Sequence, residues 1–215
     1  MEFDPNDQWA SVEIPETLVG RRAGGSAADK ARGLREEQPV VSRLLRLAGV
    51  HTDEAAWRQG AAGERATAFW LDRLQKRGWH VFHDVPIGAR GANVDHIVIG
   101  PGGVFSINAK YSKGKVWVAG GTFMVNGRRR DYVRSSEREA ERVASKLSTV
   151  VGRPVVVHPI IAVYADDITV KEQPRSVRIT TVRGAAHWIK QQRPTLAMEE
   201  VTQLAGAASR PATWL

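Results

Sequence analysis

The chain has 215 residues, 42% of them hydrophobic, enough for one domain with a sizeable core and a small appended segment. It has no cysteine, so disulfide frameworks, thiolate zinc sites and cysteine nucleophiles are excluded. Lys and Arg total 31 against 23 Asp and Glu, a formal charge of +8 that favours polyanionic partners without naming one.

Residues 1–33, including "GRRAGGSAADKARG", combine Gly, Ala and charge without apolar periodicity and predict a flexible arm. The opening "MEFDPNDQW" is unlike a signal peptide, and no run of about 18 apolar residues follows it, so a cytoplasmic protein without membrane contact is expected. Pro39 suits a first helical turn, and Val40, Val41, Leu44, Leu45 and Leu47 predict a helical segment over 34–60. A second helical stretch begins near Asp53, anchored by Trp57. "GERATAFWLDRLQKRGW" reads as the next helix: Ala66, Phe69, Trp70 and Leu74 recur at helical spacing and Gly78 supplies a left-handed cap. Glu64 then falls in its first turn.

"WHVFHDVPI" predicts a strand, "NVDHIVIG" and "GVFSINAK" two more around a turn at Gly100 to Gly103, and "KVWVAGGTFMVNG" a further hairpin turning at Gly120 and Gly121. Residues 131–151 return to helix, with Val133, Ala140, Val143, Ala144, Leu147 and Val150 on one face and Gly152 at its end. "PVVVHPIIAVYA" reads as a strand covered on both faces, in which Pro159 should force a bulge or a break. Residues 171–215 supply a short strand, "VRITTV", and closing helices.

If Ile99 pairs with Val104 across the glycine-rich turn, Asp95 stands opposite Asn108, and Lys110 follows on the same face opposite Asn93. Val94, Val98, Phe105, Ile107 and Ala109 then form the core face, while Ile97, Ile99 and Val104 leave the polar face half-exposed. Asp95 and Lys110 read either as a diagonal salt bridge worth about 0–1 kcal/mol or as part of a site, since charge withdrawn from water needs a partner or a metal. Glu64 likewise has two readings: an acid complementing a helix dipole, or a ligand. His96 points to the opposite face from Asp95 and reads as a hydrogen-bonded core histidine. His80, His83, His158 and His187 lack metal-ligand spacing. Lys113 and Lys115, with Arg128, Arg129 and Arg130, are either solvated turn charges or a phosphate track on which Tyr111 or Trp117 stacks a base. Arg134, Arg138 and Arg142 interleave with Glu137, Glu139 and Glu141, as on any exposed helix.

"GERATAFWLDRL", then "NVDHIVIGPGGVFSINAK" with "GKVWV" after it, resembles the nuclease-related domain, NERD, of the restriction-endonuclease-like PD-(D/E)XK superfamily. The likeness covers roughly residues 60–165, within a unit taken as 61–170. It implies an α/β core: a mixed central sheet made of an antiparallel meander, a crossover helix and a further strand, flanked by helices. It also implies hydrolysis of phosphodiester bonds in nucleic acid, with DNA the expected substrate and Mg²⁺ or Mn²⁺ the cofactor. Carried over residue by residue, Asp95 is the main metal ligand, Glu64 the helix carboxylate, and Lys110 the group that orients or deprotonates water. Position 108 departs from the family pattern, being Asn where Glu or Asp is expected; its amide oxygen and the carbonyl of Ala109 remain available as ligands. That departure leaves a second reading, a nucleic-acid-binding or assembly module without turnover. Homodimerisation is left open.

Overall fold

The computed structural model describes residues 17–24, 53–87 and 92–215, with side chains in the first helix described from Gln59 onward. The helix expected after Pro39, the anchoring role of Trp57 and most of the expected arm lie outside the described residues.

Helix α1 spans Asp53–Leu71 and passes into a 3-10 segment, Asp72–Arg77. Gly78 ends it at φ 78°, the left-handed cap expected from the sequence. The two helical stretches expected on either side of Gly60 are thus one helix. Glu64 lies in its interior, where the dipole argument for a first-turn acid does not apply.

Among the described residues seven strands form one sheet: β1 (His80–Pro86), β2 (Asn93–Gly100), β3 (Gly103–Ala119), β4 (Thr122–Val125), β5 (Arg128–Arg130), β6 (Val157–Glu172) and β7 (Arg178–Thr181). The two separate runs expected around Lys110 are a single 17-residue strand, β3. One edge of β3 pairs antiparallel with β2 near its start and with β4 near its end, and β1 and β5 extend those two ribbons. Its other edge pairs parallel with β6, from Val104↔Val157 to Ala119↔Glu172, and β7 adds parallel to β6. Helix α2, Tyr132–Val151, crosses between β5 and β6 and ends at Gly152 as its sequence predicts. Helices α3, Val182–Lys190, and α4, Met198–Ser209, close the chain.

Pro159 does not break its strand. The ladder to β3 runs through Ser106↔Pro159 without a shift, and β7 begins to pair only at Ile160, so that edge of Pro159 has no ladder to interrupt.

The β2–β3 register is the expected one, with Ile99↔Val104 and His96↔Ile107. Gly100 is required there for space as well as for the turn: a Cβ on it would stand 2.4 Å from the indole of Trp79. Both faces of this hairpin are core, which corrects the expectation of a half-exposed polar face. Ile97, Ile99 and Val104 pack with Val143 and Leu147 of α2 and with Val201 and Leu204 of α4. Val98, Phe105 and Ile107 pack against Leu71, Leu74, Trp79 and α3. Val94, expected with the second group, joins the first. The alternation slips beside Asp84, whose φ of 51° lies in the left-handed region.

Within the stretch expected to be an arm, residues 17–24 are held to the domain. Leu18 is buried in the first cluster, and its N–H donates to the carbonyl of Ser209 over 2.8 Å. Among the described residues no helix is long and apolar enough to cross a membrane.

Candidate active site

The polar residues singled out in β2 and β3 meet where α1, α2 and the N-terminal segment reach the sheet. Asp95 sits one step beyond the last β2–β3 pair, and its Oδ2 accepts a hydrogen bond from the backbone N–H of Ala109 over 2.7 Å. That bond ties β2 to β3 at the point where the ladder stops. Burial pushes the Asp95 carboxyl above the usual range and Asp84 adds to the rise, while Lys110 and the Ala109 N–H oppose it.

Asp84 was not singled out in the sequence. The β1–β2 ladder runs His83↔His96 and Val85↔Val94, which leaves Asp84 and Asp95 facing each other across an unpaired step. Asp84 is 4% exposed; Arg21 Nη2 donates to its Oδ2 over 2.9 Å and Asn93 Nδ2 to its Oδ1 over 2.6 Å. Asn93 therefore serves Asp84, and the expected Asn93–Lys110 pair does not form part of the ladder.

Glu64 is brought in by the close approach of α1 to β3. A Cβ on Gly63 would stand 3.2 Å from Cβ of Tyr111, so the helix backbone rests on the strand next to Lys110. Burial, followed by the charges of Asp95 and Asp84, pushes the Glu64 carboxyl up to about 8, while the Gly24 N–H and Lys110 pull the other way. The segment 17–24 thus contributes directly to the site, through Arg21 on Asp84 and Gly24 on Glu64.

Asn108 faces α2. Its Nδ2 donates to Oε2 of Glu139 over 3.1 Å, and its Oδ1 is buried without a partner. Glu139, read from sequence as one charge of an exposed helix, is only 7% exposed. Burial and then Asp95 push its carboxyl up to about 8, against Lys110, Arg142 and the Asn108 amide. Lys110 is half-buried, with Nζ 5.2 Å from the centre of the Tyr132 ring, and it favours the ionised form of Asp95, Glu64 and Glu139 alike. The diagonal Asp95–Lys110 salt bridge is replaced by the Asp95–Ala109 bond.

Four acids thus gather about the Asn108 amide and the Lys110 ammonium, with Arg21 and Asn93 bonded to Asp84. Among the described residues no three His, Asp or Glu side chains stand as a ready-made metal-ligand group. His96 is, as expected, a core histidine: its Nδ1 lies 2.8 Å from Nδ1 of His83, whose Nε2 lies 3.0 Å from Asp72. Burial and then His83 hold its pKa well below the usual value.

The expected phosphate track divides. Lys113 and Arg130 line a hollow of about 270 Å³ together with Lys110, Tyr111 and Tyr132. Lys115, Arg128 and Arg129 are exposed on β3 and β5 but do not line it, and Arg128 to Arg130 form strand β5 rather than a turn. Tyr111 packs on Tyr164, with ring centres 5.6 Å apart.

Residues 59–164, which span α1 from Gln59 through the first half of β6 and hold the four acids, Asn108 and Lys110, match the family model of the nuclease-related domain, NERD. No curated protein and no solved structure matches the chain. The mixed sheet flanked by helices is consistent with a restriction-endonuclease-like core of the PD-(D/E)XK superfamily. Residues 59–164 are thus a nuclease-related domain.

Proposed function

We propose that the chain is a divalent-metal-dependent phosphodiester hydrolase acting on nucleic acid, with DNA as substrate and the reaction centred on Asp95 and Lys110. The observation that carries this reading is the convergence of Asp95, Glu64 and Lys110, from two strands and a helix, in a buried cluster whose Lys110 also lines the hollow of Lys113 and Arg130.

A hard divalent cation fits the donor set. All the candidate donors are oxygens, the Asn108 Oδ1 is buried without a protein partner, and the acids raise one another's proton affinity with a single ammonium among them. Asp95, Glu64, the Asn108 amide oxygen and the Ala109 carbonyl would hold Mg²⁺ or Mn²⁺. The bound ion would neutralise charge building on a phosphoryl oxygen and acidify a bound water.

The chain's own groups have separable tasks. Asp95, fixed by the Ala109 N–H, is pre-oriented before any ligand arrives, which saves the cost of ordering it. Lys110, held above Tyr132, would position the attacking water and take or return a proton. Lys113 and Arg130 would hold the flanking phosphates, and Tyr111 offers a ring for a neighbouring base. Lys115, Arg128 and Arg129 would add to the field that draws the polyanion in.

A plasmid-nicking assay tests the reading. The unmodified protein should relax supercoiled DNA only with Mg²⁺ or Mn²⁺, and Asp95→Ala or Lys110→Ala should abolish this. Undiminished divalent-dependent cutting by either variant rejects these roles.

The alternative is a binding or assembly module, favoured by one observation: Asn108 spends its amide on Glu139 and brings no charge of its own. That reading predicts salt-dependent binding without turnover, with cutting appearing only in Asn108→Glu.

A further inference from the structure

Glu139 stands out from its helix. Its neighbours Arg138 and Glu141 are exposed, whereas its own carboxylate is turned under α2 onto Asn108. If its role were only to accept a hydrogen bond from the Asn108 amide, a glutamine oxygen would serve as well, without the cost of a buried charge. One oxygen, Oε1, is buried with no partner, and the Asn108 Oδ1 beside it is also unpartnered. Two acceptors left bare next to Asp95 form an incomplete set, because buried polar atoms are normally satisfied.

We propose that Glu139 is a ligand of the divalent cation, supplying from α2 the carboxylate that strand position 108 lacks, with Asn108 as the positioning residue that aims it. The inference rests on the reading of this pocket as a divalent-cation site. It accounts for Asn at position 108 without loss of charge: the acid reaches the pocket from the helix, and the amide that replaces it on the strand donates to Oε2.

Mn²⁺ binding by the full chain at pH 8, followed by calorimetry, is the test. Glu139→Gln keeps the acceptor for Asn108 and removes only the charge, so it should weaken Mn²⁺ binding by at least ~10-fold without lowering the melting temperature of the metal-free protein. Adding Asn108→Glu to that variant should restore binding by returning the carboxylate to the strand. A Glu139→Gln protein that binds Mn²⁺ as the unmodified protein does, while Asp95→Asn binds none, overturns the role of Glu139 and leaves the site standing. Absence of Mn²⁺ binding by the unmodified protein overturns both. Should Gln at 139 prevent folding, the unmodified chain still decides: Mg²⁺ should shift the side-chain carboxyl carbon resonance of Glu139, and an unmoved resonance refutes the assignment.

Discussion

Gly63 of α1 rests on Tyr111 of β3 so closely that a Cβ on the glycine would stand 3.2 Å from that of the tyrosine. This contact sets the distance from Glu64 to Asp95 and Lys110. Gly63→Leu should push the helix off the strand and lower metal-dependent cleavage by about 10²-fold, the scale expected when a reacting group is misplaced by about 1 Å. Circular dichroism should show the helix retained; unchanged cleavage would mean that Glu64 is not needed at that distance.

Lys110→Met keeps the aliphatic stem against Tyr132 and removes the ammonium. Cleavage should fall by about 10²–10⁴-fold, the usual loss for a proton-transfer group. Mn²⁺ affinity should hold or rise, because the lost charge repels the cation. A parallel loss of Mn²⁺ binding would assign Lys110 to the architecture of the pocket instead.

The metal-free protein should lose stability as pH rises. Glu64 and Glu139 bind a proton at about 8 in the folded chain, against 4.5 for an ordinary glutamate, so the folded state carries more protons than the unfolded one between those values. The melting temperature should therefore decline from about pH 5 to about pH 8 and level off above it. Saturating Mg²⁺ should flatten or reverse that slope, because the ion replaces the protons. A melting temperature that climbs over this range without metal would contradict the clustering of these acids.

Gly100→Ala should cost about 1–3 kcal/mol, read by urea unfolding, because its Cβ would enter the Trp79 ring. Asn108→Ala, which leaves the buried Glu139 Oε2 without its donor, should cost about 1–3 kcal/mol by the same measurement.

Lys113→Glu and Arg130→Glu should weaken DNA binding across sequences and reduce its dependence on salt, since on the proposed reading each would replace a phosphate contact with a repulsion. Fluorescence anisotropy at several salt concentrations measures both effects.

Much of the strand geometry was legible in the sequence, because a Gly-Pro-Gly-Gly turn and period-two alternation fix a register within a few residues. The positions of Asp95 and Asn108 followed from Ile99↔Val104 alone. Glu139 was hidden by its company, Arg138, Glu141 and Arg142, which suggested a solvated helix. The signal lay in the spacing: Val133, Ser136, Ala140, Val143 and Leu147 mark the buried stripe, and position 139 lies inside it. Asp84 was missed for another reason. Its signal lay in the four residues from Gly88 to Gly91: the Ile87 N–H donates to the Ala92 carbonyl, and counting back from that pair sets Asp84 opposite Asp95. The burial of Ile97, Ile99 and Val104 depends on α2 and α4 folding back over the sheet, a tertiary fact that alternation cannot carry.

Anomalous diffraction from a crystal soaked in Mn²⁺ probes the central claim most directly. The account predicts a single strong peak within coordination distance of an Asp95 oxygen, with Lys110 alongside. A well-diffracting soaked crystal with density for manganese elsewhere and none beside Asp95 would contradict it.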